Sequence, residues 1–169
     1  MDFAIQPMMF ETWAKDITDS NSYAFGFASL FGFVHPPLYI LKNLLRMSDI
    51  PSFFAGIYSQ IQDTFYTWIR IGLSCRANAY ATAFWYMYYD AREIGVVVGM
   101  FIWGAITCNY YIRANRRFSL LTLAKYAMIF VGVVYSYCDM EFYKASYVLG
   151  FLYLSSVLFK KGKINADKV

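Results

Sequence analysis

Few residues in this chain are of the kind that carry out chemistry. Of its 169 residues one is histidine, three are cysteine, and 15% are charged, against about 25% in an ordinary soluble domain. A lone His35 excludes a b-type haem held between two histidines of this chain. With no carboxylate opposite it in an apolar stretch, it also leaves Ser-His-Asp hydrolysis without the group that orients the base. Cys75, Cys108 and Cys138 lie in separate apolar stretches without a CxxC, so neither a zinc site nor a disulfide framework is expected. They read as small packing hydrophobes. The nucleophile elbow, the HExxH helix, the P-loop and the dinucleotide fingerprint are all missing. No enzyme, catalytic residue, metal or intrinsic cofactor is expected.

What is present is apolar. Hydrophobic residues make up 59% and aromatics 21%, with 16 Tyr and 16 Phe. A water-soluble fold of this size would leave much of that surface exposed, whereas hydrocarbon solvates it. The net charge of +4 gathers at the ends of apolar segments rather than along a stripe, so nucleic acid is not an expected partner. The start, Met1, Asp2, Phe3 and Ala4, is neither a basic signal opening nor an Arg-rich transit peptide. Targeting is therefore expected from internal apolar segments.

A helix crosses a ~30 Å hydrocarbon core with about 20 apolar residues. Ile94 to Ile112 and Ser20 to Leu41 contain no charged residue, and Phe118 to Cys138 contains only Lys125. Phe142 to Phe159 is shorter, with Lys144 near its start and Lys160 and Lys161 after it. Ile71 to Tyr89 contains Arg76, which costs ~2.5–3.5 kcal/mol at mid-membrane. Counting it as a span puts Lys42, Arg46, Arg70, the Arg113, Arg116 and Arg117 cluster, Lys125 and the C-terminal lysines on one side, leaving Lys15, Arg92 and Lys144 on the other. Omitting it makes the split more even, and the positive-inside rule favours the lopsided arrangement. The expected fold is thus an all-α integral membrane protein with five spans, 20–41, 71–89, 94–112, 118–138 and 142–159, or four without the Arg76 segment. An N-terminal amphipathic segment (1–19) would lie outside, and a basic tail (160–169) inside.

Two stretches look helical without spanning. Ile50, Phe53, Phe54, Ile57, Tyr58, Ile61 and Phe65 share one helical face, and Pro51 suits a first turn. This predicts an interfacial helix over 50–65. Ile5, Met8, Met9, Trp13 and Ile17 repeat in the same way, giving a helix that lies on the opposite membrane face or docks on a partner.

Small residues recur at helical spacing: Ala24, Ala28 and Gly32; Gly95 and Gly99; Gly132 and Ser136; Ser146 and Gly150. Such faces let helix backbones approach closely where lipid removes the hydrophobic drive. Tyr147 and Tyr153 fall deep enough for each phenol to need an acceptor on another helix. His35 precedes Pro36 and Pro37, and reads as a kink residue whose imidazole serves a freed carbonyl. Arg76 reads as snorkelling along Gly72, as a pair for a neighbouring subunit's carboxylate, or with Arg70 as a contact for an anionic lipid. Arg113, Arg116 and Arg117 form a second basic cluster, read as topology residues or a lipid or subunit contact.

Asp90, Glu93, Asp139 and Glu141 fall between predicted spans, which leaves a cation pathway without a carboxylate at membrane depth. The expected function is therefore a non-catalytic accessory subunit of a larger membrane assembly. In general character the chain is similar to supernumerary subunits of mitochondrial respiratory complexes and ATP synthases, an analogy of class alone. It implies the mitochondrial inner membrane, other membrane subunits as partners and cardiolipin as a bound phospholipid. The alternative is a small oligomeric channel or transporter built around His35, Asn78, Thr107 and Asn109. A membrane-embedded enzyme or cofactor holder ranks last.

Overall fold

Apolar residues at intervals of three and four build most of the structure. A computed structural model describes residues 6–46, 49–71, 75–77, 81–116 and 118–166. Among them are six helices: α1 (Gln6–Asp19), α2 (Phe31–Leu44), α3 (Ser52–Tyr66), α4 (Ala83–Arg116), α5 (Leu120–Tyr135) and α6 (Ala145–Ala166). A two-stranded antiparallel ribbon, β1 (Ile69–Ile71) with β2 (Cys75–Ala77), and one 3-10 turn (Glu141–Tyr143) complete the described part.

α1 turns Met9, Trp13 and Ile17 inward and packs on α4. It ends because Asn21 adopts a left-handed φ of 48°. Asn21 N–H then donates to Thr18 O and Ser22 N–H to Ile17 O, closing the helix with a Schellman motif.

α4 has two arms. Ala91 and Arg92 leave helical geometry, Arg92 with φ 56°, so residues 83–90 form a short inner helix and residues 93–116 a long outer one. The inner arm is the core. Trp85, Tyr86 and Tyr89 are almost fully buried, together with Ile61, Ile129 and Val148 from other helices. The broken end exposes the carbonyls of Tyr89 and Asp90, and the N–H groups of Ala24 and Phe25 donate to them at 3.0 and 3.1 Å.

At the other end, Ser119 caps α5 in a reciprocal box with Thr122, satisfying N–H groups that the helix start leaves open. α5 and α6 then lie together, with Tyr147 donating its hydroxyl to Met128 O at 2.6 Å.

The structure corrects several sequence expectations. Among the described residues one helix, α4, is long and apolar enough to cross a membrane, so five spans are not supported. In the 20–41 segment helix begins only at Phe31, because 24–30 turn to cap the broken end of α4. The 71–89 segment is part strand and part buried inner arm; its Trp85, Tyr86 and Tyr89 fill the core rather than a headgroup belt. α5 has 16 residues, about 24 Å, and Ala145–Ser156 of α6 is a shorter apolar helix among the described residues. The 50–65 segment is helical, but Ile57 and Ile61 are buried in protein. The N-terminal helix docks on its own chain, a third outcome beside the two expected. The basic tail from 160 continues α6 as helix to Ala166.

Candidate functional site: a basic basin and an apolar cleft along one helix

Residues 93–116 extend ~36 Å at 1.5 Å per residue. Their outer face is apolar and uncovered: Ile94 is 73% exposed, Val97 70% and Phe101 78%. Beside it runs an apolar cleft of about 540 Å³, bounded by Ile94, Val98, Ile102, Ile106 and Tyr110 along α4 and by Phe33, Phe142 and Phe151 opposite. Positions 94, 98, 102, 106 and 110 recur every four residues, so they form one continuous helical stripe. Trp103 lines the cleft, and its buried indole N–H has no acceptor among the described residues.

A basic basin of about 850 Å³ opens at the C-terminal end of α4. Asn109, Arg113 and Arg116 reach it from α4, and Ser119, Thr122 and Lys125 from the start of α5. Spacings of three and four put each set on one helical face, so a short turn brings two polar faces together. Arg113 and Arg116 are exposed, whereas Lys125 is buried at 8% exposure. No carboxylate lines the basin among the described residues. The Ser119 and Thr122 hydroxyls lie 3.0 Å apart and serve the cap.

Two charged clusters anchor the inner arm. Asp90, 6% exposed, accepts from Ala28 N–H at 2.8 Å and Ser29 N–H at 3.0 Å. Arg92 donates to Ile17 O at 2.9 Å and stacks over the Tyr23 ring at 4.4 Å, which holds its unfavourable backbone angle in place. In the second cluster Lys144 bridges Glu141 at 2.7 Å and Asp139 at 3.0 Å, and Asp139 also accepts from the Tyr86 hydroxyl at 3.0 Å. Partial burial works against the Lys144 ammonium, but its bonds to Glu141 and Asp139 outweigh this and hold its pKa above the usual lysine value. Burial pushes the Tyr143 hydroxyl up, partly offset by its bond from Gln62.

The residues singled out in the sequence separate into groups. Arg113 and Arg116 meet in the basin. Arg70 and Arg76 sit far along the chain in the ribbon, directly opposite each other in register, and Arg76 is exposed on a strand rather than snorkelling from a span. Arg117, Gly72 and Asn78 lie outside the described residues. Of the small residues, Ala24 and Ala28 are fully buried. A Cβ on Gly32 would stand 2.5 Å from Phe142 O, and one on Gly132 would stand 3.0 Å from the Tyr147 hydroxyl. Gly95 and Gly99 face Met87 of the inner arm, and Gly150 touches Met128. Ser136 accepts from Ala83 N–H through its carbonyl. Ser146 is exposed.

His35 joins an aromatic stack with Phe31, Tyr39 and Tyr58 instead of serving a carbonyl. Cys108 is exposed on α4 rather than packed. Thr107 returns its hydroxyl to Trp103 O. Tyr147 has an acceptor on another helix, Met128 O, whereas Tyr153 is 68% exposed. Sequence reasoning placed Lys125 at the headgroups and Asp90 in a connection. Their burial depends on the α4 break and the α4–α5 turn, which no local pattern announces.

No protein-family model, curated protein or solved structure matches the chain.

Proposed function

We propose that this chain is a non-catalytic accessory subunit of a larger membrane assembly, anchored by α4 and offering its uncovered apolar faces to lipid and to neighbouring helices. One observation carries the reading. The most apolar stretch of α4 is long enough to span, yet only 6% of it is buried within the chain. A core helix of a water-soluble domain would be covered. An exposed one of this length needs hydrocarbon or protein around it.

Further apolar surface supports partners as well as lipid. Leu44, Phe118, Leu120 and Tyr153 are each more than two-thirds exposed, and they belong to segments other than the long arm of α4. The Tyr153 phenol in particular calls for an acceptor on a partner helix.

The finer assignment carried from the sequence is a mitochondrial inner-membrane energy-transducing complex, with the Arg113 and Arg116 end of α4 on the matrix side. Its support is the class analogy and the positive-inside rule. Solubilisation in mild detergent, a native gel and mass spectrometry of the co-migrating proteins test the whole reading. The expected result is one large band shared with other membrane proteins of a single compartment. Migration alone at the chain's own 19.6 kDa overturns it.

A further inference from the structure

We propose that the basin between the end of α4 and the start of α5 holds the phosphate of an anionic membrane phospholipid, one whose headgroup carries no compensating cation, with Arg113, Arg116 and Lys125 as its cationic ligands. This rests on the membrane reading above and gives that membrane contact a chemical identity.

Charge balance is the first argument. Arg113, Arg116 and Lys125 line one basin into which no Asp or Glu projects among the described residues. Arg113 and Lys125 line the same basin, so their like charges repel across it. Lys125, with 8% of its surface exposed, lines the basin with no Asp or Glu across from it, and both ion pairs found among the described residues belong to Lys144. An anion entering the basin removes the repulsion and supplies the missing partner.

The chemistry of the three cations suits phosphate. Two guanidinium groups offer planar forks that match tetrahedral phosphate oxygens, and an ammonium adds a point charge. The hydroxyls of Ser119 and Thr122 are already occupied with each other and with the cap, so the three cations carry the binding.

Continuity with the apolar cleft assigns the phosphate to a lipid rather than to a soluble ion. Tyr110 borders both the basin and the cleft. From Tyr110 the cleft follows the α4 stripe to Ile94, about 24 Å at 1.5 Å per residue, which exceeds one leaflet of a ~30 Å core. A headgroup in the basin thus has an apolar track for its acyl chain.

The test uses the full chain in neutral detergent, offered equal amounts of phosphatidylglycerol and phosphatidylcholine and read by native mass spectrometry. The wild type is expected to retain phosphatidylglycerol preferentially. Lys125→Met should lower that retention about fivefold, the effect of roughly one membrane-facing basic residue, and Lys125→Arg should preserve it. Arg113→Gln and Arg116→Gln alter exposed side chains and should each give a similar loss without affecting folding, so the proposal stays falsifiable if Lys125→Met does not fold. Val98→Trp, which fills the cleft, should weaken lipid retention with the basin intact.

Equal retention of the two lipids overturns the proposal, as does unchanged preference in the two arginine variants. Complete displacement of the lipid by inorganic phosphate overturns the lipid assignment in favour of a soluble ion. The two readings fail separately. A chain that migrates alone yet keeps its headgroup preference sinks the subunit reading only, and one in a large assembly without preference sinks this site only.

Discussion

Asp90 accepts the backbone N–H of Ala28 at 2.8 Å across 62 positions of sequence. Its second oxygen takes Ser29 N–H at 3.0 Å, so one carboxylate fixes the turn between α1 and α2 to the break in α4. Replacing Asp90 by Ala leaves two buried donors unpaired, each costing ~1–3 kcal/mol. The expected result is a loss of about 3 kcal/mol in Asp90→Ala and a smaller loss in Asp90→Asn, which keeps one acceptor. Unfolding in mild detergent followed by circular dichroism measures both.

Gly132 and Gly104 should respond oppositely to a side chain. A Cβ on Gly132 meets the Tyr147 hydroxyl at 3.0 Å and Trp103 Cζ2 at 3.2 Å. Gly132→Val therefore pushes Tyr147 off its bond to Met128 and costs ~1–3 kcal/mol as overpacking. Around Gly104 nothing lies within 4 Å. Gly104→Ala should gain ~0.5–1 kcal/mol from helix propensity alone. Equal shifts of the unfolding midpoint in the two variants would refute this picture of α5 packing.

Alkaline pH should weaken the 139–144 cluster. Against a cost of burial, Glu141 and Asp139 hold the Lys144 pKa above its usual 10.5. A cation raised in this way stabilises the fold fully below its unfolded pKa, and the gain disappears as pH rises through the folded value. Tyr143, raised mainly by burial from 10.0, acts in the same direction because the fold disfavours its phenolate. Stability should therefore hold to about pH 10 and fall beyond it. Lys144→Met should start lower and show a shallower alkaline decline. A decline as steep as the wild type's would show that Lys144 takes no part.

The sequence announced helices better than their environment. Met9, Trp13 and Ile17 repeat every four residues and do form one inward face, as do Ile57 and Ile61. Arg113 and Arg116 are close in sequence, so their cluster needed no tertiary information. The inner arm of α4 misled, because Trp85, Tyr86 and Tyr89 look alike whether they meet headgroups or a core. The discriminating event is the backbone break at Ala91 and Arg92. It is held by Arg92 reaching Ile17 O, 75 positions away, and no window-based hydropathy contains that contact. Lys125 was seen as the one charge in an apolar run. Its place in the basin depends on the turn that lays α5 against α4. The ribbon at 69–77 was hidden because Ile69, Ile71 and Cys75 are as apolar as a span and too few to show a period.

The claim that residues 93–116 cross a bilayer is tested most directly at Cys108, exposed on α4 and about 12 Å from the Arg116 end at 1.5 Å per residue. The measurement is labelling by a water-soluble maleimide in sealed proteoliposomes, with Cys75 and Cys138 changed to serine. Maleimide reacts with thiolate, which hydrocarbon suppresses. Cys108 should stay unlabelled in intact vesicles and label fully after denaturation in SDS; labelling at the denatured rate while the vesicles are intact would contradict the account.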